Sequence, residues 1–195
     1  MRLVVALSAL WLLACGPAGA AKFTVVNPGK GDAVVTNINH AIGSRFTYGL
    51  MEDGKLTPLE GDGVYTRKVT LTGGAEVVVY STPDDDVYLQ FDGDDEYTWG
   101  STTDLADSPV LSLKLPLKQD LEWETADQNG TPFYRYRVEA IERVAVPAGT
   151  FLTARTVQLN LRQKTVVTRW YTQEVGMVQR NNSVLLRYSL AQEAK

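Results

Sequence analysis

Val184-Leu185-Leu186-Arg187-Tyr188-Ser189-Leu190 sets Val184, Leu186, Tyr188 and Leu190 on one side of an extended chain and Leu185, Arg187 and Ser189 on the other. Successive side chains of a strand point to opposite faces, so this pattern predicts a strand with one dry and one wet side. The same period of two recurs upstream. Leu111, Leu113, Leu115 and Leu117 alternate with Ser112, Lys114 and Pro116. Tyr134, Tyr136, Val138 and Ala140 oppose Arg135, Arg137 and Glu139, while Val157, Leu159 and Leu161 oppose Gln158, Asn160 and Arg162. A period of 3.6 is almost absent. One-sided strands belong to antiparallel sheets, because parallel sheets are covered on both faces.

Turn residues separate these segments: Asp53-Gly54, Gly73-Gly74, Gly93, Asn129-Gly130 and Pro147-Ala148-Gly149. They predict strands near 44–51, 63–72, 75–82, 86–91, 95–100, 109–117, 121–126, 133–146, 150–162, 164–173 and 176–191, the last broken near Asn181-Asn182. Short connections pair sequential neighbours, and that many strands in one sheet curl or close. The expected fold is all-β: an antiparallel meander forming a strongly curved sheet or open barrel with little helix, a single domain over residues 22–195.

Arg2 precedes a largely apolar run from Leu3 to Ala14, shorter than the roughly 20 residues that span a bilayer. It predicts a signal peptide over residues 1–14. Leu12-Leu13-Ala14-Cys15 resembles the lipobox of bacterial lipoproteins, in which the cysteine sulfur takes a diacylglyceryl group and becomes the first mature residue. That resemblance implies lipidation at Cys15, a tether over 15–21 and attachment to a bacterial envelope membrane on its periplasmic or surface side. Gly16 rather than aspartate leans toward the outer membrane of a Gram-negative host. Ala18-Gly19-Ala20 also fits ordinary secretory cleavage, which would discard Cys15, the only cysteine. The net charge is −4, and loss of Arg2 makes it −5. A mild acidic excess gives no footprint for nucleic acid.

Val144-Ala145-Val146-Pro147-Ala148-Gly149-Thr150-Phe151, followed by Ala154-Arg155-Thr156-Val157, resembles a signature of bacterial envelope lipoproteins with a TapB-like domain, named for a type IV pilus-associated protein. Ile42 to Tyr48, Leu115-Pro116-Leu117 leading to Trp123, and Arg169-Trp170-Tyr171 followed by Glu174-Val175-Gly176-Met177-Val178 fall in the order that family shows. The match spans roughly residues 40–190 and implies an envelope or pilus protein as partner. The motif also has a physical reading. Pro147 presets a turn, Gly149 allows positive φ, and Thr150-Phe151 re-enters a strand. Trp170 and Tyr171, just before Gly176, would pack near that corner as part of the core.

Residues able to do chemistry are few. His40 is the only histidine, no Gly-x-Ser-x-Gly elbow occurs, and zinc would lack ligands. His40 reads as a surface or satisfied polar residue. Asp84-Asp85-Asp86 and Asp92-Gly93-Asp94-Asp95-Glu96 are the acidic clusters, and Asp92, Asp94 and Asp95 are weak calcium candidates. They lack the D-x-D-x-D-G loop spacing and read better as hairpin turns. No cofactor is implied, and the expectation is a non-enzymatic protein. Either an edge or end of the sheet docks an envelope protein, or the concave face carries an apolar ligand; a carrier needs spare apolar surface on that face and no helix filling it.

Overall fold

The computed structural model describes residues 22–127 and 129–192 of the chain. They form fourteen strands: β1 (Lys22–Pro28), β2 (Arg45–Glu52), β3 (Lys55–Pro58), β4 (Gly63–Thr70), β5 (Glu76–Ser81), β6 (Asp86–Asp92), β7 (Asp95–Ser101), β8 (Leu105–Leu113), β9 (Leu121–Ala126), β10 (Pro132–Val146), β11 (Gly149–Asn160), β12 (Val166–Thr172), β13 (Gly176–Arg180) and β14 (Ser183–Ser189). No helix occurs among the described residues. All strands join one sheet in the order β1-β9-β10-β11-β12-β13-β14-β2-β4-β5-β6-β7-β8, with β3 paired to β2 alone. Every pairing is antiparallel. The all-β antiparallel meander expected from the sequence is the fold.

Two meanders, β2 to β8 and β9 to β14, are joined edge to edge where β14 pairs with β2. The sheet stays open, with β1 and β8 as its edges. Pro109 has no N–H to give a ladder, and it sits in the edge strand β8 where none is needed on one side. Side chains of ten strands reach one cavity, which a flat sheet does not allow.

Residues 29–44 do not form a strand of the sheet but strap one end of it. Lys30 N–H donates to Gln119 O (2.7 Å), Val34 N–H to Leu117 O (2.9 Å), Asn39 N–H to Glu174 O (2.7 Å) and Gly43 N–H to Tyr65 O (2.7 Å). The strap thereby ties the β8–β9 connection, the β12–β13 turn and β4 together. Two core clusters result. One gathers Leu111, Leu113, Leu117, Trp123, Tyr136 and Val138. The other gathers Phe46, Tyr65, Val78, Leu89, Val178 and Leu185.

The structure departs from the expected pattern at four places. β1 and β3 were not foreseen as strands, and β1 pairs with β9, about a hundred residues away, rather than with its sequence neighbour. β8 ends at Leu113; the Leu115 N–H goes to the Asp95 carboxylate (3.1 Å) instead of a ladder, although Leu115 and Leu117 stay buried. In β14 a bulge between Leu185 and Arg187 breaks the alternation, so Leu185 is wholly buried and Tyr188 is exposed. In β11 the faces are reversed. Ala154 and Thr156 are buried and Gln158 lines the cavity, while Val157 lies opposite Arg137 on the outer side.

Candidate functional site

The inner face of the curved sheet encloses a cavity of about 390 Å³. Its walls are rich in tyrosine, with Tyr48, Tyr65, Tyr80, Tyr134, Tyr136 and Tyr171 all contributing. Strand register explains the convergence, since residues directly opposite in an antiparallel pair share a face. Trp123 of β9 faces Tyr136 of β10, which faces Gln158 of β11. Thr156 of β11 faces Arg169 of β12, which faces Arg180 of β13.

Polar groups continue this line across the cavity wall. The Trp123 and Tyr136 rings stack at 4.9 Å with planes 4° apart. Gln158 Nε2 donates to Tyr136 Oη (3.1 Å), and Arg169 Nη1 donates to Gln158 Oε1 (2.8 Å). Arg180 stands at the cavity mouth, exposed, and burial of part of it together with the like charge of Arg169 lowers its pKa. The Tyr48 hydroxyl is spent on Met177 O (2.8 Å). An outer depression of about 720 Å³ shares Phe46, Tyr48, Tyr80, Met177 and Arg180 with the cavity, so these residues form the threshold between the two.

The opposite wall carries Glu96 and His40. Ser112 Oγ donates to Glu96 Oε1 (2.8 Å), and His40 Nε2 lies 3.3 Å from Glu96 Oε2, close enough for an ion pair though not aligned as a hydrogen bond. Burial pushes Glu96 up, but His40, the Ser112 hydroxyl and the charge of Arg169 outweigh it and hold the carboxyl below its usual value. His40 packs on Phe91 (4.1 Å between ring centroids) and edge-on to Tyr65 (5.2 Å). The only histidine is thus a cavity-wall residue carried by the strap. The tyrosines hold their protons tightly. Burial and the charge of Asp62 push Tyr80 up to about 12, and burial drives Tyr171 to about 12 against the opposing pull of Arg169. Tyr48, Tyr65 and Tyr136 are also raised, by burial first.

The residues singled out by sequence fall in three places. Pro147 and Ala148 form the two-residue turn between β10 and β11, and Gly149 follows at φ 144°. Val146, Ala148, Phe151 and Trp170 pack together on the second core cluster, with Thr150 opposite Ala145. Trp170 Nε1 donates to Glu142 Oε1 (2.8 Å). Its neighbour Tyr171 necessarily takes the other face and lines the cavity, so the two aromatics do not act as a pair. Gly176 adopts φ 84° and leaves room for Ile38 of the strap, whose Cγ2 would lie 2.9 Å from an added Cβ.

Asp92 and Asp95 face each other across the β6–β7 turn that contains Asp94, and Asp95 Oδ2 is taken by Lys114 Nζ (3.0 Å). Among the described residues no group of three or more His, Cys, Asp or Glu is placed to hold a metal. Cys15, the signal segment and the tether lie outside the described residues. Gln158, Arg169 and Arg180 are the site residues that the sequence reading did not single out as chemistry. The set can bind an oxyanion and an aromatic or aliphatic body.

No protein-family profile and no curated protein matches the sequence. Two solved structures share 15% identity each. One is a Bacteroides fragilis protein inferred to be exported, with a YmcC-like fold, covering 81% of this chain and all of its own at a TM-score of 0.43. The other is a Parabacteroides distasonis protein inferred to be a lipoprotein, covering 82% of this chain and all of its own at a TM-score of 0.41. Likeness of this degree transfers neither a ligand nor an activity.

Proposed function

We propose that the protein is a membrane-tethered, non-enzymatic carrier of the bacterial envelope whose concave face takes a small amphiphilic ligand. The observation that carries the reading is the cavity of about 390 Å³ on the inner face of the sheet. Ligand pockets begin at roughly this size and are mostly apolar and aromatic with a few placed polar groups. No helix fills the concave face among the described residues, and the strap crosses only one end. The purely apolar ligand expected from sequence is too simple for walls that carry arginine, glutamine and six tyrosine hydroxyls.

Tethering rests on the order of Arg2, the apolar run and Cys15, and an envelope location with it. The TapB-like resemblance adds a pilus or envelope protein as a docking partner. Val25 and Val26 favour such docking at the β1 edge, where both are exposed on a strand whose other side is unpaired.

Native mass spectrometry of the full-length chain from its producing cells tests both parts. A small molecule released on denaturation and a mature terminus at Cys15 carrying acyl mass are expected. A chain that releases no small molecule and binds no amphiphilic probe overturns the carrier reading, and an unmodified start at Ala21 overturns the tether.

A further inference from the structure

The strongest unexplained feature of the cavity is electrostatic. Arg169 and Arg180 occupy directly opposite positions on β12 and β13, and both line the cavity. Side chains so placed have Cβ atoms about 4.5–5.5 Å apart, and like charges there are destabilising. Several cations elsewhere on the sheet are paired with carboxylates. Arg135 meets Glu124 (2.6 Å), Arg137 meets Asp120 (3.1 Å) and Arg162 meets Asp127 (2.6 Å). Among the described residues neither Arg169 nor Arg180 has a carboxylate partner within ion-pair distance.

The cavity does contain one carboxylate, Glu96, but Ser112 and His40 already occupy it. Arg169 instead spends a hydrogen bond on the neutral Gln158, whose amide is fixed in turn by Tyr136. This holds the Arg169 guanidinium in place without neutralising it. A planar fork of donors, held at the border of a tyrosine-lined chamber with a second fork opposite, is the arrangement that takes a carboxylate or phosphate.

We propose that the cavity ligand is an amphiphile with an oxyanion head, the head lying between Arg169 and Arg180 and the apolar body against Tyr48, Tyr80 and Met177. This rests on the carrier reading and adds the ligand's charge to it. Binding an anion turns a repulsive cross-strand pair into two attractive contacts, so occupancy also stabilises the seam between β12 and β13.

The test uses the full-length chain kept soluble in a non-ionic amphipol, with protein-free amphipol as blank and parinarate as the fluorescent probe. Dodecanoate, dodecyl phosphate and 1-dodecanol compete for it, at fixed chain length and differing head. The expected result is that one or both anions displace the probe at concentrations roughly tenfold or more below the alcohol, the ratio two charge-assisted contacts support. Whichever anion competes better identifies the head as carboxylate or phosphate. Parinarate carries a carboxylate and binds the variants more weakly, so the comparison uses inhibition constants: in Arg180→Gln and Arg169→Gln the anions' advantage falls about tenfold while the constant for dodecanol is unchanged.

Thermal melting guards against misfolding. Without ligand Arg180→Gln melts at or above the wild-type temperature, because a repulsion is removed, and in both variants the rise that dodecanoate gives the wild type is lost. Equal competition by all three compounds, unchanged in the variants, overturns the anionic head and leaves the carrier intact. Absence of any probe binding overturns both.

Discussion

Trp123 is wholly buried and lies flat on Tyr136, whose hydroxyl accepts from Gln158. It anchors both the first core cluster and the line of side chains that leads to Arg169. Replacing a buried Trp by Ala costs about 3–5 kcal/mol, so Trp123→Ala should lower the urea midpoint by that equivalent, whereas Trp123→Phe keeps most of the ring burial. Gly63 tests the cavity by another route. A Cβ there would stand 1.8 Å from Tyr80 Oη and 2.4 Å from Cζ, so the ring must swing. Gly63→Ala is expected to cut parinarate affinity roughly tenfold, with a stability loss within the ~1–3 kcal/mol of ordinary overpacking. Intact affinity would show that Tyr80 does not border the ligand. The residues that define this wall were hidden for a specific reason. Counting back from the Val146–Gly149 turn pair puts Leu159 opposite Tyr136; the bulge between Val138 and Ala140 puts Gln158 there instead. A slip of one residue exchanges the faces of a strand, so an apolar-inward reading of Val157 and Leu159 had to place Gln158 outside. Sequence alone does not reveal the bulge.

Most strands were legible where their partner is next in sequence; the exception is the four-residue β3, which pairs with β2 alone across the Asp53-Gly54 turn. The hairpins at Asp53-Gly54, Gly93-Asp94 and Asn181-Asn182 follow from residues that tolerate positive φ, and Asp53, Gly54, Gly93 and Asn181 adopt it. β1 escaped because its partner β9 is remote and because Val25 and Val26 are consecutive apolar residues, with a register shift between Val25 and Asn27 rather than an alternation. The two sheet edges are protected differently. β8 carries Pro109 and the acidic Asp107, both of which discourage a further strand, while β1 presents Val26 half exposed with no charge between Phe23 and Pro28. A free edge of that kind pairs with other chains. Val26→Lys should therefore leave the denaturation midpoint within about 0.5 kcal/mol of wild type while reducing light scattering during refolding. If the edge is a docking site, the same variant loses the partner in a pull-down that wild type retains.

At the scale of the whole molecule, an open sheet curled around tyrosines behaves asymmetrically with pH. On the acid side the shifted carboxyls are depressed, as for Asp85, whose hydrogen bonds to the Ser101–Thr103 turn bring it from 3.8 to about 2. Depressed groups stabilise above their unfolded values and lose that contribution as pH falls through the folded ones, so decline begins near pH 4 and continues toward 2. Most of these carboxyls are only half-buried and still screened by solvent, and the loss is correspondingly shallow. Glu96 is the exception, buried in the cavity wall. The alkaline side is governed by the cavity itself. Phenols at 10.0 in the unfolded chain sit at about 12 for Tyr80 and Tyr171 in the folded one, with Tyr48, Tyr65 and Tyr136 raised as well. A raised folded value means the unfolded state releases protons first, so stability is intact below pH 10 and drains away as pH rises toward 12 and beyond. Each pH unit of difference is worth about 1.4 kcal/mol per group. Several such groups titrating together reach the 5–15 kcal/mol of a whole domain, and the transition should be steep. Absorbance at 295 nm from the buried tyrosines is expected to jump in step with loss of the strand signal in far-ultraviolet circular dichroism. A smooth titration of Tyr48, Tyr65, Tyr80, Tyr136 and Tyr171 near pH 10, with the sheet intact, would mean that the cavity is open to water and too loose to hold a ligand.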